Sequence, residues 1–131
     1  MTPIIDHVGL TVTDFVLSRG FYVAVLGTLG IQLLSDFERE RKRHAGFGRD
    51  AATFWISDGK QTRGDAHVAF AARSRAEVHA FYTVALSMGG RDNGAPGLRP
   101  HYSPDYYSAF VLDHDGHNIE AVFVGPEEKK S

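Results

Sequence analysis

Two segments of the chain alternate between apolar and polar residues, and each is followed by a helical pattern. Positions 4–12 and 66–71 alternate with a period of two, which predicts half-buried strands. Apolar residues then recur at helical spacing, from Phe15 to Leu26 in the first case and from Val78 to Leu86 in the second. The strands place His7 and His67 at equivalent positions, with His7 pointing away from the more apolar face.

Capping residues delimit both predicted helices. Thr13 or Asp14 can cap the first helix, and Ser74-Arg75-Ala76-Glu77 has the form of a capping box for the second. Glycines follow each helix, at Gly27 and Gly30 and at Gly89-Gly90, where a helix is expected to end.

Further short apolar runs predict three strands after the first helix and a hairpin near the end of the chain. The run Glu38 to Arg43 is charged, which is typical of a solvated turn or strand edge. The stretch 91–107 contains several Gly and Pro residues, so we expect it to lack regular structure. The predicted strands are 31–37, 44–47 and 52–57 in the first half and 108–112 and 118–124 around the turn 113–116, with a frayed tail at 126–131.

The two halves of the chain are related by a fixed offset of 60 positions (67 − 7). This offset carries His7-Val8-Gly9-Leu10 onto His67-Val68-Ala69-Phe70 and Phe21-Tyr22 onto Phe81-Tyr82. A repeat of this length indicates a duplicated supersecondary unit. We therefore predict one α+β domain over residues 1–131, built from two β-α-β-β-β modules at about 1–60 and 61–126.

Composition narrows the chemistry that the domain can support. The 131 residues are 43% hydrophobic with a net charge of −2, which argues against a nucleic-acid partner. No apolar run is long enough to span a membrane and the first residues do not resemble a leader, so a cytoplasmic protein is expected. The absence of cysteine leaves His, Asp and Glu as the strong metal ligands.

These residues resemble the vicinal oxygen chelate superfamily, which includes glyoxalase I, extradiol dioxygenases, fosfomycin-resistance thiol transferases and bleomycin-binding proteins. The resemblance rests on both strand histidines, the Phe21-Tyr22 helix and the ending Asp115-Gly116-His117-Asn118-Ile119-Glu120. It implies that the two modules form a half-closed mixed-sheet cup with helices outside. It also implies a divalent metal bound by His7, His67 and Glu120, and a homodimer.

Aligning the last predicted strand of each module, 52–57 and 118–124, tests for a fourth metal ligand. Placing Asp50 on Asp115 carries Trp55 onto Glu120, and an indole cannot bind a metal. The remaining set of two imidazoles and one carboxylate leaves coordination positions open for water or substrate. Such a site suits Fe, Mn, Zn, Ni or Co, and the sequence does not choose among them.

Other residues are candidates for roles around the metal. The aromatic and polar segment near the end of the chain supplies possible proton-transfer residues, and strands and turns supply a possible substrate pocket. The proton-transfer candidates are His101, Tyr106 and Tyr107. The substrate-pocket candidates are Trp55, Phe54, Arg49, Arg99 and Phe110. The remaining histidines are assigned to turns, the surface or packing: His44, His79, His114 and His117.

The leading functional hypothesis is a metal-dependent enzyme of glyoxalase type, a lyase or isomerase, acting on a small substrate that chelates through adjacent oxygens. The alternatives are an extradiol-type dioxygenase and a fosfomycin-type thiol transferase. Against the transferase, Phe110 stands where the resemblance predicts a tyrosine. A non-catalytic small-molecule binding or resistance protein is the third possibility.

Overall fold

A computed structural model describes residues 5–60 and 66–126 of the chain. It contains two helices and eight strands in the order β-α-β-β-β twice, which confirms the predicted α+β class. The elements are β1 Val8–Val12, α1 Phe15–Gly27, β2 Gln32–Arg39, β3 Lys42–Gly48, β4 Phe54–Asp58, β5 His67–Ala71, α2 Arg75–Ser87, β6 Arg91–Leu98, β7 Tyr106–Leu112 and β8 Asn118–Val124.

Each module forms its own four-stranded mixed sheet with the same topology. The first sheet has the order β1-β4-β3-β2 and the second has the order β5-β8-β7-β6. In both sheets the opening strand pairs in parallel with the closing strand, and the other pairings are antiparallel. The duplicated sequence therefore corresponds to a duplicated structure.

The helices begin where the capping residues predicted. Asp14 Oδ1 accepts a hydrogen bond from the Leu17 amide at 3.1 Å, and Ser74 Oγ accepts one from the Glu77 amide at 3.1 Å. Each helix packs on one face of its own sheet, and the two helices contact each other. The opposite face of each sheet carries no described helix, and we call it the open face. Neither described helix has the length and apolar composition needed to cross a membrane.

A buried polar cluster joins the two modules. The Tyr22 hydroxyl of α1 donates to Asp113 Oδ2 at 2.5 Å, and His117 Nδ1 lies 2.7 Å from the same oxygen. Asp113 Oδ1 accepts hydrogen bonds from the amides of Asp115 and His117. His117 lies in the turn between β7 and β8, as expected, but it is only 3% exposed, so its assignment to the surface was wrong. The buried Asp113 carboxylate supplies the partner that the sequence did not reveal.

The segment 91–107 also differs from expectation, because its first half is the strand β6. This strand lies at the edge of the second sheet, and its pairing with β7 shifts register around Gly94 and again before Gly97. An edge strand can tolerate Pro96 because only one side must pair. The charge run behaves as predicted: Glu40 and Arg41 form the β2–β3 turn, with φ values of 53° and 65°.

Candidate metal and substrate site

Glu120 lies at the centre of the open face of the second sheet. Its strand neighbours Ile119 and Ala121 are buried in the core beneath the helices, so alternation directs Glu120 to the open face. In register it lies between Ala69 of β5 and Phe110 of β7. Glu120 is nevertheless only 1% exposed, because neighbouring side chains cover it.

Two side chains hold the Glu120 carboxylate. His67 Nε2 lies 2.8 Å from Oε1, and the Tyr106 hydroxyl donates to Oε2 at 2.5 Å. Burial and the hydrogen bond to Glu120 raise the pKa of Tyr106 well above its usual value. Tyr106 therefore keeps its proton and acts as a donor that orients the carboxylate, rather than as a base.

The His67–Glu120 pair fits two adjacent metal ligands. Ligands with bonds of about 2.1 Å that meet at a right angle place their donor atoms about 3 Å apart. The observed 2.8 Å between Nε2 and Oε1 is close to that separation. The imidazole nitrogen and carboxylate oxygen also suit a borderline divalent cation.

The third predicted ligand, His7, immediately precedes β1 and is freely accessible. Its side chain is 59% exposed, and its Nδ1 lies 2.7 Å from Asp6 Oδ2. A carboxylate on Nδ1 leaves Nε2 free, which is the usual arrangement of a metal-binding histidine. His7 and His67 line one cleft of about 520 Å³ between the modules.

One chain does not bring the complete set of ligands together. Across residues 5–60 and 66–126, no group of three His, Cys, Asp or Glu side chains could hold a metal ion. Of the three predicted ligands, only His67 and Glu120 are paired directly within the chain. His7 shares the cleft with His67 but is not grouped with the His67–Glu120 pair in the described residues.

The strand registers confirm the internal alignment of Trp55 with Glu120. Trp55 is paired with Gly9 and Glu120 with Ala69, and Gly9 and Ala69 are themselves 60 positions apart. The indole, however, lies over Gly46 of β3, on the side of β4 away from β1. A Cβ atom added at Gly46 would be only 2.7–2.8 Å from three indole carbons. The Trp55 ring therefore does not cover the part of this face that lies next to His7.

Two candidate residues point away from the open faces. The Tyr107 hydroxyl lies 2.5 Å from His79 Nε2, and the Arg75 guanidinium stacks 4.7 Å from its ring centroid, so Tyr107 faces α2. Phe54 is 3% exposed and packs on Tyr22 in the core. Adjacent strand residues must face opposite sides, so Tyr106 with Tyr107, or Trp55 with Phe54, cannot both line the same face. Tyr107 therefore lies outside the site, whereas Phe54 belongs to the core and also borders the cleft that His7 and His67 line.

The two candidate arginines have different surroundings. Arg49 donates to the carbonyls of Leu29 at 2.9 Å and Ala71 at 2.8 Å, so it bridges the modules. Arg99 lies 5.4 Å from the ring centroid of Phe110 and donates to the Ala95 carbonyl at 2.5 Å. Arg99 and Phe110 therefore belong to the open face of the second sheet, and Arg49 to the module junction.

The remaining proton-transfer candidate, His101, lies beyond β6 in an aromatic series. Its ring centroid is 4.1 Å from that of Tyr102, which in turn lies 5.0 Å from that of Tyr106. His101 and Tyr102 are exposed, and Tyr106 is half-buried. This series leads from solvent to the hydroxyl that holds Glu120.

Sequence reasoning missed Phe37 and His44, which share the open face of the first sheet with Trp55. The sequence pattern assigns His44 to the surface or to packing and gives Phe37 no role. Their cross-strand pairing in register is the decisive feature. It could have been anticipated only from a correct turn at Glu40 and Arg41, since that turn sets the register.

Comparison with known proteins places the chain among related folds. Residues 4–121 match the profile of the Glyoxalase/Bleomycin resistance protein/Dioxygenase superfamily. A glyoxalase/bleomycin resistance protein from Albidiferax ferrireducens T118 is 30% identical, with a TM-score of 0.79, over 92% of this chain and 99% of that chain. No curated protein matches the chain.

Two more distant structures share the fold. Glyoxalase I from Zea mays is 20% identical with a TM-score of 0.70, over 95% of this chain and 45% of that chain. A point mutant of the fosfomycin resistance protein FosX from Listeria monocytogenes, complexed with Mn(II) and 1S,2S-dihydroxypropylphosphonic acid, is 19% identical. Its TM-score is 0.66, over 92% of this chain and 90% of that chain.

Proposed function

This chain belongs to the Glyoxalase/Bleomycin resistance protein/Dioxygenase superfamily, and we propose that it is a divalent-metal-dependent enzyme of lyase or isomerase type. Its substrate is a small molecule that presents two adjacent oxygens to the metal. The observation that carries this proposal is the buried Glu120 carboxylate, held between His67 Nε2 and the Tyr106 hydroxyl.

The buried carboxylate supports a cation site because a buried anion needs compensation. Within the chain Glu120 has two hydrogen-bond partners, the neutral Tyr106 phenol and the His67 imidazole, and the His67 side chain is 45% exposed. A cation bound between His67 and Glu120 would offset the cost of burying this charge. The accessible side of His67 leaves a route for the metal and the substrate.

We propose that a second copy of the chain supplies His7 and that the enzyme is a homodimer. The open face of the first sheet, with His7 at its edge, would then oppose the open face of the second sheet of the other copy. A symmetric dimer would contain two such sites, since each copy contributes one half to each. The His7 side chain is 59% exposed and therefore accessible to a second copy, which supports this arrangement.

The residues around the site have distinct proposed roles. His67 and Glu120 would hold the metal together with His7, and the bound metal would stabilise negative charge that develops on a substrate oxygen. Tyr106 keeps Glu120 oriented through Oε2, so Oε1, beside His67 Nε2, would be available to a metal. Arg99 and Phe110 would contact the substrate beside it. His101 would exchange a proton with solvent at the end of the Tyr102–Tyr106 series.

Metal titration of the purified, EDTA-treated chain tests the site. Calorimetry with Mn(II) or Ni(II) should show binding to the parent and at least about tenfold weaker binding to Glu120→Gln. Tyr106→Phe should weaken binding by up to about tenfold, because it removes the group that orients Glu120. Glu38→Gln, which neutralises an exposed carboxylate on β2, serves as the control and should bind like the parent. Equal affinities for Glu120→Gln and the parent would rule out Glu120 as a ligand.

Mixing two defective variants tests the shared site. His7→Ala and Glu120→Gln should each bind metal weakly when alone. A mixed dimer would contain one site with both defects and one intact site, formed by His7 from one chain and His67 with Glu120 from the other. Tight binding should therefore return after mixing and exchange of subunits. Failure to recover any tight binding, or a monomeric mass in sedimentation, would reject the shared site.

A further inference from the structure

The open face of the first sheet carries two cross-strand rows that differ from their counterparts in the second sheet. The registers of β1, β2, β3 and β4 define these rows. One row is Phe37, His44, Ser57 and Thr11, and the next is Ser35, Gly46, Trp55 and Gly9. We call these eight residues the aromatic wall.

Three rings of the aromatic wall form one connected surface. Phe37 and His44 are stacked, with centroids 5.0 Å apart and an interplanar angle of 22°. The Trp55 ring meets Phe37 edge-on at 5.9 Å and 70°. Phe37 is 42% exposed, and Trp55 and His44 are half-buried. An exposed phenylalanine in contact with two other rings offers aromatic surface to a ligand.

Glycine determines how the Trp55 ring lies. The indole occupies the space above Gly46, where any Cβ atom would be within 2.8 Å of it. At Gly9, by contrast, an added Cβ would have only ordinary contacts at 3.8 and 3.9 Å, so the indole does not cover Gly9. The face therefore presents a ring over Gly46 and bare backbone at Gly9, on the His7 side.

The aromatic wall contains no Asp, Glu, Lys or Arg. Arg39 and Lys42 form the next row of the same face, beyond Phe37 and His44. The charged residues at the alternate positions point to the helix side, where Asp36 pairs with Arg19 of α1 at 2.7 Å and Arg43 stacks on Phe15. His44 Nδ1 is bound to Ser57 Oγ at 2.7 Å, which fixes the imidazole in its stacked position. A charged ligand group would find no counter-charge in these two rows, whereas an uncharged ring would find aromatic partners.

We propose that the aromatic wall binds a planar, uncharged aromatic ring of the substrate. This inference rests on the proposed function and deepens it: the substrate is an aromatic compound whose ring lies against Phe37 and Trp55. Its adjacent oxygens extend over Gly9 towards His7 and the metal. The aromatic wall thus determines specificity for the ring, and the His67–Glu120 pair would hold the metal that the adjacent oxygens bind.

Trp55 is the only tryptophan of the chain, so its fluorescence reports directly on the aromatic wall. The full-length chain, kept in EDTA, would be titrated with 2,3-dihydroxynaphthalene, catechol and cyclohexane-1,2-diol, with correction for inner-filter absorption. We expect saturable fluorescence changes with the two aromatic diols. The saturated diol should bind at least about tenfold more weakly, because it offers no π-face to the rings. Equal affinity for catechol and cyclohexane-1,2-diol would overturn the inference.

Two variants locate the ligand. Phe37→Ala should weaken binding of 2,3-dihydroxynaphthalene by at least about fivefold, since it removes the exposed ring. Gly46→Ala should displace the indole, shift the Trp55 emission and weaken binding as well. Val16→Ala truncates a 68% exposed apolar residue on α1 and is the matched control, which should bind like the parent. Parent-like affinity in Phe37→Ala would place the ligand elsewhere and reject the aromatic wall.

Failure of this inference is distinguishable from failure of the proposed function. The ring titration is made without metal, and the metal titration is made without a ring ligand. If metal binds but the chain does not select aromatic diols, only the ring-binding role of the aromatic wall is rejected. If ring binding depends on Phe37 but the parent binds no metal, the ring-binding role is supported and the metal-dependent activity is rejected.

Discussion

The two open faces of this chain have the same scaffold and different chemistry. At equivalent positions of the closing strands the first sheet has Trp55 and the second has Glu120. Around Trp55 lie glycines and rings, and around Glu120 lie an imidazole and a phenol.

The helix sides of the two sheets have not diverged in this way. Both have an apolar centre, and these centres merge into one core through contacts such as Phe54–Phe70, with centroids 5.0 Å apart. Duplication therefore preserved the half of each module that stabilises the fold. It left the open faces free to specialise, one for apolar contact and one for polar ligands.

The largest expected effect comes from breaking the cluster that holds the two modules, and so the two faces, in place. Asp113→Ala leaves the Tyr22 hydroxyl, the His117 ring and two amides without their acceptor inside the core. We expect a loss of about 3 to 5 kcal/mol in the free energy of unfolding. Urea denaturation would measure it, with the exposed Asp50→Ala as the control. A loss below about 1 kcal/mol would show that the cluster does not join the modules.

A smaller effect is expected from making the two faces alike. Trp55→Glu gives the first sheet the carboxylate that the second sheet has at the equivalent position. If the two faces meet across a dimer, Mn(II) or Ni(II) affinity should rise by about tenfold or more, as a second anionic ligand joins the site. Trp55→Gln is the matched neutral control. Similar affinities for the Glu and Gln variants would indicate that the first sheet does not face the metal.

The smallest effect is a pH dependence of stability confined to the module junction. Hydrogen bonding to Asp113 raises the pKa of His117 although burial opposes this. Burial would raise the pKa of Asp113, but the hydrogen bonds from His117 and Tyr22 lower it. Stability from His117 is thus present below its unfolded pKa of about 6.5 and lost as the pH rises through its folded pKa. Stability from Asp113 is present above about pH 4 and lost as the pH falls through its folded pKa.

The difference between the parent and His117→Asn isolates this effect from the other histidines. We expect the parent's advantage in unfolding free energy to be largest between about pH 4 and 6.5 and to decline on either side, by on the order of 1 kcal/mol. Urea denaturation in EDTA at a series of pH values would measure it. A parent advantage that stays constant from about pH 4 to 9 would contradict the assigned protonation states.

Several parts of the fold were predictable because their causes are local. The caps at Asp14 and Ser74, the helix spacing and the period-two alternation depend on neighbours within a few residues. The strand β6 was missed because pairing with β7 outweighs the low strand propensity of Gly94 and Pro96. The burial of His117 was missed because its partners come from a turn and a distant helix.

The sequence by itself determined the duplication, the α+β class and the candidate ligands, since a repeated pattern and a histidine on a strand are visible without coordinates. Only the tertiary structure decided which candidates share a face. Tyr106 and Tyr107 lie on opposite faces of β7. Arg49 lies at the module junction, and the Trp55 indole lies over Gly46. The tertiary structure also showed that His67 and Glu120 pair directly within the chain. The physical reason is that strand register and module packing join residues far apart in sequence, and local spacing does not encode those contacts.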